Sequence, residues 1–177
     1  MPSFKDAKIE FRRLDEVDKK EIIDLMNNPL VRRQLPLAKE VFDDKAYQKF
    51  IQIKNNLWKK HGYGPWAFFM NKKFVGWGGL QYEEGYPDLA LILHPKYWGK
   101  GKGIYKHIIR RAFNEMGFES ITALLPVSRK HDKALLRLHF KPDGETILEN
   151  ELFIRFRLSV NDIPKKDLQG EKYVKRS

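Results

Sequence analysis

The sequence predicts a mixed α/β fold, with about six to seven strands in a central sheet and about four flanking helices. Three observations predict it. Short runs with strand periodicity alternate along the chain with segments whose apolar residues recur every three or four positions. Asn, Gly and Asp punctuate the boundaries between them. The chain has 177 residues, 42% hydrophobic and 13% aromatic, enough for one packed core, and no repeat, linker or low-complexity tract divides it. We therefore expect a single domain over 1–160 and a polar, loose tail over 161–177.

The first strand is expected over Lys8 to Leu14, where Ile9 and Phe11 alternate with charged neighbours. Asp15 stands as a helix N-cap, Val17, Ile22, Leu25 and Met26 form an apolar stripe, and Asn28-Pro29 stops the pattern. A second helix carries Ala46, Tyr47, Phe50, Ile51, Ile53, Leu57 and Trp58, capped by Asp43 or Asp44 and terminated at Gly62. The middle reads as a meander: Trp66 to Met70, an Asn71-Lys72 turn, Phe74 to Gln81, a Gly85 turn, then Asp88 to His94. Gly76, Gly78 and Gly79 inside the middle strand mark a bulge or a place where something packs close to the backbone. A third helix follows a glycine-rich turn, with Ile104, Ile108, Ile109, Ala112, Phe113 and Met116 on one face and Gly117 at its end. Beyond it come a strand over Ser120 to Leu125, a helix near Lys130 to Leu138, and a hairpin around Glu149-Asn150.

Composition excludes several functions. There is no Cys, which removes disulfide frameworks, thiolate zinc sites, iron–sulfur clusters and any acyl-cysteine intermediate. The five His residues show no metal-ligand spacing, so no metal is expected. The N-terminus, Met1-Pro2-Ser3-Phe4-Lys5-Asp6, is charged at once, and the apolar run Leu89 to Leu93 is too short to cross a bilayer. A cytoplasmic protein without a membrane partner is the expectation. Lys and Arg number 34 against 23 Asp and Glu, a formal net charge of +11. Such a charge suits nucleic acid, ribosome or a polyanionic cofactor without choosing among them, and most of the cations are interspersed with acids.

Chemistry concentrates at Trp98-Gly99-Lys100-Gly101-Lys102-Gly103-Ile104, where a strand passes through glycines and lysines into a helix. The first amides of a helix have no intrahelical partner, and the helix dipole adds partial positive charge, so such a junction binds phosphate. Glycines at 99, 101 and 103 leave the backbone uncovered, while Lys100 and Lys102 add charge. A P-loop would need Ser or Thr after Gly101-Lys102, where Gly103 stands, and a dinucleotide fingerprint counted from Gly99 would need glycine at Ile104.

The stretch Asp88-Leu-Ala-Leu-Ile-Leu-His94-Pro95-Lys96-Tyr97-Trp98-Gly99-Lys100-Gly101-Lys102-Gly103 resembles motif A of the GNAT superfamily of acetyl-CoA-dependent N-acetyltransferases. It is most similar to the branch that acetylates ribosomal-protein N-termini, which tolerates Trp98 where the superfamily signature begins with Gln or Arg. The resemblance covers about residues 8 to 159 and implies a twisted, mostly antiparallel sheet. It also implies that the coenzyme A pyrophosphate sits on the turn from Trp98 to Ile104. The pantetheine arm would then pair with the splayed preceding strand near Ile92, Leu93 and His94.

Acetyl transfer from a thioester to an amine needs a group to take the amine proton and another to polarise the carbonyl. Asp88 matches the acidic strand position of the family and is the first candidate base, with Glu83 and Glu84 as substitutes; each also reads as a solvated loop acid. His131 and Ser128 are the candidate proton donors to the departing thiolate; His131 reads more simply as a surface residue at a helix start, and Ser128 reads equally as a helix cap. No Tyr lies between Tyr105 and Tyr173 to take that role. The trio Leu138-His139-Phe140 stands where the family usually has Leu-Gly-Phe. The expected activity is direct transfer from acetyl-CoA to a primary amine, of a protein N-terminus or a small molecule. A non-catalytic acyl-CoA-binding module is the alternative, and an RNA- or ribosome-binding protein a third.

Overall fold

The computed structural model describes residues 7–128 and 132–169. Its sheet has seven strands in the order β1-β2-β3-β4-β5-β7-β6. These are β1 (Ile9–Arg12), β2 (Pro65–Met70), β3 (Lys73–Glu83), β4 (Tyr86–Leu93), β5 (Ser120–Pro126), β6 (Lys141–Leu148) and β7 (Glu151–Ser159). Every neighbouring pair is antiparallel except β4 with β5.

Local chemistry accounts for the turns and caps. Asn71 and Lys72 both take positive φ, 49° and 67°, as the two-residue turn joining β2 to β3 requires. Glu149 and Asn150 do the same between β6 and β7. The long helix α3 (Asp44–His61) is capped by Asp43, whose carboxylate accepts from the Ala46 amide at 2.8 Å, and ends on Gly62 at φ 76°.

The first helix departs from expectation. Asp15 lies in a short 3-10 turn, Leu14–Glu16, and the cap of α1 (Lys19–Asn27) is Asp18, whose carboxylate accepts from Lys20. Asn28-Pro29 ends α1 and also begins α2 (Pro29–Arg33): the Asn28 side chain accepts from Leu30 and Val31, and proline suits a first helical position because its missing N–H is not needed there. With α4 (Lys102–Arg110), α5 (Asp132–Arg137) and α6 (Lys165–Leu168) the described residues hold six α-helices, two more than the periodicity suggested. The extra two are five and four residues long, too short to show a stripe.

The sheet carries a core on each face. On one, α4 buries Ile104, Ile108 and Ile109 against Val75, Leu80, Leu93, Ile121 and Phe156. Each such side chain contributes about 1.5 to 3 kcal/mol by leaving water. On the other, Leu14, Ile22, Leu25 and Val31 pack with Ala67, Phe69 and Trp77. Trp66 and Trp77 are core residues, and Trp58 packs edge-on to Trp66 while its indole donates to the Pro65 carbonyl. Beyond β7 the chain is not loose where it is described: Ile163 and Leu168 pack on the α4 core, and Asn114 donates to the Leu168 carbonyl at 2.8 Å. Polar composition hid this because two apolar contacts and one hydrogen bond suffice to hold a short segment. No helix among the described residues is long and apolar enough to cross a membrane.

Candidate active site

The site begins with the glycines of β3. A Cβ at Gly76 would lie 2.1 Å from the Ile92 carbonyl oxygen, and one at Gly78 would lie 2.2 Å from that of Ala90, so only glycine lets β4 approach this closely. A register shift between Phe68 and Phe69 adds the expected bulge on the other side of β3. Because Ile92 and Ala90 turn their carbonyls toward β3, Leu91 and Leu93 turn their backbone groups the other way, toward β5.

On that side the sheet opens. β4 and β5 pair at one position among the described residues, Asp88 with Thr122, and then part. Past that rung no described residue of β5 pairs with β4, and Leu91 is exposed there while Leu93 is buried. Within the stretch near Ile92, Leu93 and His94, the edge facing the opening belongs to Leu93 alone. The Ile92 carbonyl lies against β3, and the His94 amide donates to the Val75 carbonyl at 2.9 Å. The Leu93 carbonyl accepts from the Trp98 indole at 2.9 Å, which ties the glycine turn to the strand end. The His94 ring caps the intervening turn by accepting from the Lys96 amide.

After that turn Gly99 takes φ 80°, a conformation that favours glycine, and Gly101 is the N-cap of α4 with no side-chain cap. The first bond within α4 runs from the Tyr105 amide to the Gly101 carbonyl at 2.9 Å. The amides of Lys102, Gly103 and Ile104 therefore precede the helical ladder, in the geometry that binds an anion. Lys102 is exposed and Ile104 is fully buried, anchoring the helix start in the core.

Asp88 sits where the two strands part. It is only 6% exposed, and Thr122 donates to its Oδ1 at 2.8 Å. Burial pushes its carboxyl up to about 7, the Thr122 hydrogen bond opposes this, and the charges of Glu83 and Glu84 add to it. An acid poised there exchanges protons near neutral pH. Ionising it in the folded chain opposes folding, because the unfolded carboxyl ionises near 3.8. Stability present below the unfolded value is therefore lost as pH rises through about 7. Asp88→Asn is expected to raise the melting temperature at pH 8, and this gain should vanish toward pH 4, as thermal denaturation at the two pH values would register.

The other candidates divide. Glu83 is half-buried and its carboxyl is raised by burial and by Glu84, with Lys54 opposing. Glu84 is held away: Thr146 donates to its Oε1 and Arg155 lies 3.5 Å from Oε2, which ties the β3–β4 turn to the terminal hairpin. Ser128 is an exposed turn residue after β5, and His131 lies outside the described residues. Around the turn, Tyr82 stacks on His61 with centroids 3.9 Å apart, and Tyr86 lies under the Arg157 guanidinium at 4.2 Å. Sequence reasoning missed Thr122, Lys54 and Gln81. Their roles come from contacts across 34 and 27 residues, for which no local spacing exists.

No group of three or more His, Asp or Glu placed to hold a metal occurs among the described residues. Known proteins resemble this chain in sequence and in fold. Residues 8–137 match the family model described as an acetyltransferase (GNAT) domain. A curated relative from Aspergillus fumigatus, FsC-acetyl coenzyme A-N(2)-transacetylase, is 24% identical over 132 residues, 68% of this chain; the chain spans 56% of that relative's length. An uncharacterised protein of known structure from Bacillus halodurans superposes with a TM-score of 0.71 at 18% identity, covering 95% of this chain and 92% of its own. The ribosomal L7/L12 alpha-N-protein acetyltransferase RimL, solved with coenzyme A, gives 0.70 at 16% identity, covering 87% and 95%.

Proposed function

The chain belongs to the GNAT acetyltransferase family, and from that premise we propose that it transfers an acetyl group from acetyl-CoA to a primary amine in a direct ternary complex. The observation that carries the reading is Asp88, a buried carboxyl with its proton poised near neutrality, at the one rung where β4 and β5 part. In this reading the turn from Trp98 to Ile104 takes the pyrophosphate through main-chain amides, and the open edge of β4 at Leu91 and Leu93 takes the pantetheine arm.

The amine nitrogen attacks the thioester carbonyl, the new C–N bond forms, and the C–S bond breaks. Asp88 accepts the proton the amine gives up, directly or through water. The thiolate leaves with coenzyme A and is protonated from solvent or a neighbouring donor. No acetyl group passes through the protein, which has no Cys to carry it. The acceptor is a small amine or a protein N-terminus; similarity to the ribosomal-protein enzyme supports the latter through fold alone.

Screening amines with acetyl-CoA while following free thiol tests the reading. Thiol release that depends on the amine supports it, and tight acetyl-CoA binding with no turnover of any amine would leave the non-catalytic module instead. Charge should assist the pyrophosphate site without defining it. Lys100→Ala combined with Lys102→Ala is expected to weaken acetyl-CoA binding by about 1 to 3 kcal/mol, more at low salt than at high. Calorimetry at two ionic strengths checks this, and unchanged affinity at low salt would remove both lysines from the site.

A further inference from the structure

We propose that the amine acceptor also carries an anionic group, a carboxylate or similar oxyanion, and that Lys54 binds it. This rests on the acetyl-transfer reading and names the class of acceptor for the same site.

Lys54 projects from the middle of α3 onto the sheet face that carries Asp88. The α3 side of the sheet bears Trp77 and Ile92, which are paired across β3 and β4. Side chains two apart share a face, so Ala90 and Asp88 follow Ile92 on it, and Gln81 faces Asp88 directly. The Lys54 ammonium donates to Gln81 Oε1 at 2.8 Å and lies 5.0 Å from the Trp77 ring centre. The next pair along the face is Gly79 with Ala90, two small residues.

What sets Lys54 apart is its company. Arg155 and Arg157, on the same sheet, each pair with Asp143. None of the ion pairs among the described residues includes Lys54, whose direct hydrogen-bond partner is a neutral amide. Burial pulls its ammonium down to about 8, with Glu83 opposing from farther off. Holding a cation out of water without a counter-ion is costly, and an anion supplied by a ligand would offset that cost.

Directly opposed residues in an antiparallel pair have Cβ atoms about 5 Å apart. An anion on Lys54 and an amine at Asp88 would then be separated by on the order of 5 to 9 Å, the span of a four- to six-carbon ω-amino acid. The α-amine and α-carboxylate of one amino acid lie too close together to reach both.

The test uses 4-aminobutyrate and 6-aminohexanoate against butylamine and hexylamine, which keep chain and amine but lack the carboxylate. Thiol release from acetyl-CoA is measured for wild type, Lys54→Met and Lys54→Arg. We expect wild type to prefer the amino acids in kcat/KM by at least about tenfold. Lys54→Met should abolish that preference while still acetylating the alkylamines, and Lys54→Arg should restore part of it. Calorimetry of 6-aminohexanoate with coenzyme A present reads the anion site without chemistry. Lys54-dependent binding with no thiol release from any amine would uphold the anion site and defeat the acetyl-transfer reading. Equal turnover of both classes by wild type, a preference unchanged in folded Lys54→Met, or no Lys54-dependent binding overturns the proposal.

Discussion

Replacing Gly101 or Gly103 with valine is expected to abolish acetyl-CoA binding while the protein remains folded. The two glycines begin α4, where the amides that would meet the pyrophosphate emerge. A Cβ at Gly101 would meet the Leu93 and Leu91 side-chain tips at 3.1 and 3.2 Å, and one at Gly103 would meet the Ile9 tip at 3.0 Å. These are ends of flexible side chains, which a few tenths of an ångström relieve, and neither glycine has a left-handed backbone. Valine at either position adds branched bulk beside the Lys102, Gly103 and Ile104 amides, and that crowding is expected to keep a pyrophosphate from reaching the main chain. Circular dichroism establishes folding and calorimetry the affinity. Unchanged affinity in both folded variants would move the pyrophosphate elsewhere.

Asp88→Asn should lower turnover by roughly 10² to 10⁴ with little change in acetyl-CoA affinity. Asparagine keeps the shape and can still accept from Thr122, but it cannot take a proton. The base must be ionised to act, and its carboxyl is raised to about 7, so wild-type activity should climb as pH rises through that value and fall below it. An acceptor amine losing its own proton would produce a similar climb. Only the variant separates the two, since an amine-limited profile survives the substitution and a base-limited one disappears. Normal turnover by Asp88→Asn would pass the role to Glu83, because Glu84 is already engaged by Thr146 and Arg155.

The glycine turn and the acid of β4 can both be read from the sequence, for different reasons. The turn is a contiguous run whose chemistry depends on neighbours in the chain. Family likeness puts Asp88 first among three candidate acids, with Glu83 and Glu84 as substitutes. Burial separates them: Asp88 is closed into the sheet, Glu83 is half-buried, and Glu84 is exposed and bridged to the terminal hairpin. Asp15 and Asp18 are both good caps, so the sequence alone puts the start of α1 three residues early, and packing of Leu14 and Val17 into the core decides for Asp18.

Sequence by itself determined the alternation of strands and helices, the two-residue turns at Asn71-Lys72 and Glu149-Asn150, the ends of α3 and the amide-rich start of α4, because each depends on residues within one turn of chain. Tertiary structure alone decided that β4 and β5 touch at Asp88 and Thr122 and then separate, that the Asp88 carboxyl is raised, and that Lys54 reaches Gln81 without a counter-ion. Those properties are set by which distant groups remove water from a charge and which supply hydrogen bonds in return, and that pairing exists only once the sheet has closed around it.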